Sequence, residues 1–296
     1  MLFNWPAALW RDFYFRIADE GPFDTVVVGE IVCSKRSSFF AEHIPAVFDR
    51  LVGAGKEVLL GSLALVTLER ERRATAELAD STDATVEAND VSCLAGLQGR
   101  RHAIGPLVQV YNEATAVYFA GRGAARICLP PELPATSIAA IAAAVPDVTI
   151  EVFAFGRVPL AISARCYHAR LEGLSKDNCR FVCEKDPDGL AVETLDREPF
   201  LAVNGVQTLS YTCANLIGDL MDLSAIGVGA CRLSPHTCDM VAVAQTFRDL
   251  LDGRLQMAEA AAALSSAIPQ LPFSNGFLHG RAGAKWVVNQ PPTFRS

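Results

Sequence analysis

The 296-residue chain has no long apolar run: its longest, Ile138 to Val145, falls far short of the roughly 20 residues that cross a bilayer. The N-terminal stretch MLFNWPAALWRDFYFRIADE lacks a basic n-region, and Arg11 with Asp12 interrupts its apolar residues. Neither a targeting leader nor an integral membrane anchor is expected, and the expected location is the cytosol. A basic excess is missing too. The formal net charge of −7 argues against sequence-independent nucleic-acid binding, which draws on Lys and Arg against phosphate. Histidine is scarce: His43, His102, His168, His236 and His279 show no paired spacing. Neither H-E-x-x-H nor G-x-S-x-G occurs, so the usual metalloprotease and serine-hydrolase signatures are excluded. Gly121-Arg122-Gly123 and Gly227-Val228-Gly229 lack the continuation of a dinucleotide fingerprint and read as turns.

What is present is a globular composition, 51% hydrophobic and 20% charged, with nine cysteines. Without a leader, disulfides are a poor explanation for so many thiols; clustered ones point to metal or redox chemistry, scattered ones to small buried side chains.

Short β-branched runs alternate with amphipathic or Ala-rich runs along the chain. A helix is expected from Pro6, with Leu9, Phe13 and Ile17 on one face. Thr25–Val32 and Glu57–Val66 read as strands buried on both faces. Further strands are expected at Thr85–Ala88, Leu107–Tyr111, Ile127–Leu129, Thr149–Phe155, Phe200–Val203 and Ala230–Leu233. Helices are expected around Glu42–Val52 and at Leu68–Leu78, Val91–Gln98, Ala114–Ala120, Ser137–Ala144, Cys213–Asp222 and Cys238–Leu251. Nearly eight β/α units in about 250 residues indicate an α/β fold of TIM-barrel type, (β/α)8, as one domain over 1–296, with an open doubly wound sheet as the alternative. Residues 165–199 break the rhythm. They read as an irregular, cysteine-bearing insert, and a long irregular segment in a compact domain usually has a function.

Within the insert, Cys166, Cys179 and Cys183 form C-x12-C-x3-C. Thiolates hold iron and zinc well, and four complete a mononuclear site or the corners of a cluster. Cys179 and Cys183 are spaced so that one helical turn aims both at one centre. The fourth candidate is Cys33, directly after the first expected strand, where a barrel builds its sites. Spacing alone leaves zinc and iron both open. Cys128 and Cys231 fall in expected strands, Cys93 in a helix-like run, and Cys213 and Cys238 at helix starts. These five read as buried small side chains.

At Glu151–Cys166 the chain reads EVFAFGRVPLAISARC. This resembles the U32 peptidase signature, E-x-F-x-x-G followed by S-[GA]-R-C. The family's usual cysteine seven residues before the last one is replaced by Pro159, while Gly29, Glu30, Cys33, Ser34, Lys35 and Arg36 match the GE-x-x-CSKR motif of the UbiV-like ubiquinone-biosynthesis branch. Similar stretches follow at Ser62–Val66, Glu87–Asp90, Tyr111–Asn112, Leu129–Leu133, Lys176–Cys183, Asn204–Thr208, Arg232–Pro235 and Asn275–Gly283. The resemblance implies a [4Fe–4S] cluster on Cys33, Cys166, Cys179 and Cys183, and a heterodimer with a UbiU-like U32 partner. It also implies support from a UbiT-like lipid carrier, and hydroxylation of ubiquinone precursors without dioxygen, with prephenate as oxygen donor. Proteolysis finds no support in these residues. Other U32 relatives act on RNA bases, which makes an RNA hydroxylase the enzymatic rival; the acidic balance and scattered aromatics disfavour it. A structural or electron-relay subunit is the non-catalytic alternative.

An anionic donor calls for cationic forks. Arg36, Arg165 and Arg232 lie at expected strand ends and are the candidate substrate-binding residues, with structural ion pairs as the competing reading. Glu30 and Glu151 read as partners of these arginines rather than as acid–base groups. Asn204 and Gln207 read equally as substrate contacts or loop braces. No catalytic residue is assigned.

Overall fold

The computed structural model describes residues 3–81 and 84–288. Its strands are β1 (Thr25–Val28), β2 (Glu57–Gly61), β3 (Thr85–Ala88), β4 (His102–Ile104), β5 (Ala124–Cys128), β6 (Thr149–Ile162), β7 (Leu190–Glu193), β8 (Pro199–Asn204), β9 (Gln207–Asn215), β10 (Val228–Leu233) and β11 (Phe273–Ser274). Its helices are α1 (Ala7–Glu20), α2 (Ser37–Phe40), α3 (Ile44–Gly53), α4 (Glu69–Asp80), α5 (Val91–Leu94), α6 (Glu113–Ala120), α7 (Ala135–Ala144), α8 (Tyr167–Leu171), α9 (Leu220–Ala225), α10 (Met240–Leu251) and α11 (Met257–Ala267). Among the described residues no helix is long and apolar enough to cross a membrane.

All eleven strands belong to one mixed sheet. β1 through β6 run parallel in chain order, each joined to the next through helix, as β-α-β units require. Polar side chains then meet across the sheet's concave face. Arg126 on β5 reaches Thr25 on β1 at 3.0 Å and Glu57 on β2 at 3.0 Å, while Arg232 on β10 reaches Glu87 on β3. Only a curled sheet brings strands so far apart in order within hydrogen-bond distance. The barrel-like expectation therefore holds as a TIM-like half-barrel; among the described residues no ladder joins β10 to β1.

β6 is the branch point. Its first half pairs parallel with β10, and its second half pairs antiparallel with β9 from Phe155↔Asn215 to Ile162↔Gln207. β9, β8 and β7 extend this second arm as an antiparallel meander. The insert thus grows out of a barrel strand rather than hanging from a loop.

Several sequence expectations are corrected here. The strand expected at Leu107–Tyr111 lies earlier, at His102–Ile104, because Pro106 opens a 3-10 turn instead. Cys213 lies in β9, not at the start of a helix; the helix begins only at Leu220. The region read as irregular contains α8, β7 and the start of β8, whose exposed outer faces weaken any periodic signal. α1 buries Trp10, Tyr14, Ile17 and Ala18 rather than a Leu9 stripe, since Trp10 stacks on Phe40 with ring centroids 5.1 Å apart and Leu9 stays 47% exposed. Helix starts are set by side-chain caps where those exist: Asp90 on α5, Asn112 on α6 and Asp239 on α10.

Candidate metal centre

Two segments build the site. The first leaves β1 and turns sharply, because the buried Glu30 carboxylate accepts the backbone N–H groups of Val32 at 2.8 Å and Cys33 at 2.9 Å. Burial pushes the Glu30 carboxyl above its usual range, with Arg36 and these two N–H donors pulling the other way. The Ser34 hydroxyl donates to Glu71 at 2.5 Å. Burial alone would raise the Glu71 carboxyl, yet Ser34, Thr67 and Leu68 outweigh it and push it down to about 2. Lys35 Nζ donates to the Lys176 carbonyl at 2.7 Å and ties this loop to the second segment.

The second segment starts at Cys166, which caps α8 through its sulfur, accepting the Ala169 N–H at 3.4 Å. His168 Nε2 lies 2.8 Å from Asp186 Oδ2, and Nδ1 accepts the Gly205 N–H at 3.3 Å, so one imidazole clamps both ends of the cysteine stretch. Between Cys179 and Cys183 the backbone does not form the expected single helical turn. Arg180 and Phe181 take left-handed φ values of 47° and 53°, and Cys183 sits in a 3-10 turn at Val182–Lys185. Its sulfur accepts from Asn4 Nδ2 at 3.5 Å.

Cys33, Cys166, Cys179 and Cys183 all line one pocket, together with Lys35, Arg36, Lys176, Phe181, Val182 and Gly205. Among the described residues no three His, Cys, Asp or Glu side chains stand close enough to ligate one ion. Burial pushes the Cys33 and Cys166 thiols up, with Arg36 opposing it in both cases. Such thiols are poor free nucleophiles at neutral pH, whereas a bound metal deprotonates its thiol ligands outright. Four cysteines on one pocket are donors of the kind that hold zinc or iron as thiolates. Arg36, 1% exposed, supplies compensating charge. It donates to Asn204 at 2.8 Å, stands 4.0 Å from Glu30 and interacts with Cys183. Gly205 makes this possible: at φ +64° it completes the β8–β9 turn, and a Cβ there would lie 2.7 Å from Arg36 Nη2.

The three candidate substrate arginines are not gathered in one place. Arg36 is buried in the cysteine pocket. Arg165 is exposed in an open groove with Arg170 and Lys176, which shares Cys166 with that pocket. Arg232 lies inside the barrel, donating to Glu151 at 2.6 Å and to Glu87. Glu30 and Glu151 are both partners of arginines, and Asn204 and Gln207 hydrogen-bond each other at 3.4 Å. Pro159 faces a separate cavity of about 450 Å³ in the barrel interior, along the seam between β1 and β10. Cys93, Cys128 and Cys213 are buried and Cys231 and Cys238 half-buried, all outside the cysteine pocket. Glu71, Asn4, His168 and Asp186 escape sequence reasoning, because each acts through a partner distant in sequence or in an unrecognised turn.

Residues of this chain are 28% identical over 151 positions to tRNA hydroxylation protein P of Helicobacter pylori strain J99. The match covers 47% of this chain and 35% of that relative, so the chain spans about a third of its length. The family model for peptidase family U32 matches residues 13–288, from within α1 to the last described residue. It takes in the half-barrel, the insert and every cysteine of the pocket. The chain belongs to peptidase family U32.

Proposed function

We propose that this chain is the iron–sulfur subunit of an oxygen-independent hydroxylation system acting on ubiquinone precursors, paired with a UbiU-like U32 protein and served by a UbiT-like lipid carrier. The observation that carries the reading is the convergence of Cys33 with Cys166, Cys179 and Cys183 on one pocket beside buried Arg36. These four residues would hold a [4Fe–4S] cluster, as the resemblance to the UbiV-like branch implies and as four cysteine thiolates can. When bound, it supplies one-electron chemistry tuned by hydrogen bonds to its sulfurs, here from Asn4, Ala169 and Arg36. Glu30 and Glu71 hold the Cys33 loop, and His168 holds the insert. Prephenate is the proposed oxygen donor.

The Helicobacter relative's name favours a second reading, hydroxylation of an RNA base. The net charge of −7 weighs against a nucleic-acid groove. A third reading, a relay subunit whose partner holds the reacting groups, fits the same cysteine pocket.

Anaerobic purification is expected to yield a brown protein with about four irons and four sulfides per chain. Colourless protein containing zinc would sink the cluster. Deletion is expected to abolish ubiquinone only in cells grown without oxygen; intact quinone with unhydroxylated tRNA would select the RNA reading instead. Activity of the reconstituted pair alone, and not of either chain, would assign catalysis to the complex.

A further inference from the structure

The barrel cavity is separate from the cysteine pocket, and the two share no lining residue. The segment after β1 lies between them: Ile31 lines the cavity and Cys33 lines the pocket. At about 450 Å³ the cavity falls within the range of small-molecule sites. Its walls include Ile31, Leu59, Phe153, Leu233 and Phe247, so an apolar body is favoured there.

Its charges are already committed. Arg126 bridges Glu57 at 3.0 Å and Glu151 at 3.4 Å. Arg232 bridges Glu151 at 2.6 Å and Glu87, and Arg248 holds Asp24 at 2.5 Å. Four carboxylates thus face three guanidiniums. Glu87 and Glu151 are buried, so a carboxylate ligand at Arg232 would have to strip one of them of that partner inside the barrel, which costs several kcal/mol. The end of the cavity at Arg232 does not suit an anion.

Two polar atoms in the wall are not committed. Asn89 Oδ1 and Ser234 Oγ are buried and lack a hydrogen-bond partner among the described residues, and both residues line the cavity. Asn89 Nδ2 donates to Glu87 at 3.1 Å, which leaves its oxygen as an acceptor. That oxygen lies over Gly105, where a Cβ would come within 2.0 Å of it. Asn89 follows β3 and Ser234 follows β10, so both stand at the C-terminal ends of parallel strands, the rim on which barrels build their sites. A buried acceptor and a buried hydroxyl without partners are costly unless a ligand or water satisfies them.

We propose that this cavity binds an uncharged ring compound through its hydroxyl, with Asn89 Oδ1 accepting that hydroxyl's proton and Ser234 Oγ donating to its oxygen, and that the anionic oxygen donor is bound elsewhere. The choice of a hydroxylated ring rests on the hydroxylation reading above. The preference for a neutral ligand at this rim stands on Arg232 and its buried partners Glu87 and Glu151. Arg232, a candidate for donor binding by its position in the sequence, becomes a positioning residue for Glu87 and Glu151.

Calorimetric titration of the anaerobically purified full chain tests this, using 4-propylphenol, 3-phenylpropionate and uridine as probes. The phenol is expected to bind saturably with one site per chain, and the carboxylate and the nucleoside to show no binding. Ser234→Ala with Asn89→Leu is expected to weaken the phenol roughly tenfold, the loss of one or two buried hydrogen bonds. Ala244→Trp, which fills the cavity from α10, is expected to abolish binding, with circular dichroism showing that the fold persists. Equal or tighter binding of phenylpropionate overturns the proposal. So does uridine binding in place of the phenol, or phenol binding unchanged in a folded Ala244→Trp protein or, should that variant not fold, in the Ser234 and Asn89 double variant. Iron content is measured on the same sample: phenol binding by iron-free protein would refute the cluster and leave this site standing.

Discussion

The Glu71 carboxylate accepts the Ser34 hydroxyl at 2.5 Å and thereby fastens the loop carrying Cys33 to the start of α4. The same carboxylate takes the N–H groups of Thr67 at 2.8 Å and Leu68 at 2.9 Å, so one side chain serves a helix terminus and the candidate metal pocket together.

Removing that charge is expected to show in the acid limb of stability. Folding lowers the Glu71 carboxyl from its ordinary 4.5 to about 2. Its contribution is fully present above the ordinary value and drains away as pH falls toward the folded one. Glu71→Gln is expected to lose about 1–3 kcal/mol at neutral pH. It is also expected to flatten the decline in urea stability between roughly pH 4.5 and pH 2. An unchanged acid limb would show that another carboxylate dominates it.

Cysteine replacements separate the pocket from the rest. Cys179→Ala and Cys183→Ala are each expected to strip most iron from anaerobically prepared protein while leaving the far-ultraviolet dichroism intact. Cys231→Ala, in β10 and outside the pocket, is expected to keep wild-type iron. Equal loss in all three would mean that iron follows overall stability and not these ligands.

Arg232→Met is expected to act on folding. It strips the arginine from Glu87, which is fully buried, and leaves Glu151, which is nearly so, with Arg126 alone. Breaking a buried pair from one side costs on the order of 3–5 kcal/mol. Adding Glu87→Gln is expected to recover part of the loss, measured as the urea midpoint of the double variant. A change in donor affinity with no change in midpoint would restore the substrate-binding reading of Arg232.

Gly205→Ala is expected to cost on the order of 1–3 kcal/mol from its left-handed backbone. It is also expected to lower iron retention beyond that, because the new methyl meets Arg36 in the pocket wall. Gly253→Ala, at φ +70° with open space around its Cβ position, is the matched control for backbone strain alone.

The parallel half of the fold is legible in the sequence because strands buried on both faces leave continuous apolar runs, as at Thr25–Val28 and Glu57–Gly61. The antiparallel arm is less so. β7 alternates half-buried with exposed residues, and β9 runs straight into apolar Leu216 and Ile217, which mimic a helix start. The four cysteines can be picked out because spacing and motif coincide. Their supports cannot: Asn4 reaches Cys183 across most of the chain, and nothing local marks Glu71 as the acceptor for Ser34. Arg36 shows the limit from the other side. A cation in a strong motif invites a substrate, yet its burial among Glu30, Asn204 and Cys183 makes it part of the wall.

β6 belongs to three ladders, with β5, β10 and β9, and this orders events during synthesis. Cys33 emerges from the ribosome early, just after β1, whose ladder partner is β2. Its companions follow β6, and the wall they share with Arg36 waits for Gly205 and for β9 to fold back on the second half of β6. Any group gripped by the four thiols is therefore enclosed late, after most of the half-barrel has been made. A nascent chain stalled before Gln207 would carry three of those thiols in an insert that β9 has not yet closed. Until that closure the newborn chain presents an unfinished sheet edge, the kind of surface through which partly folded chains aggregate.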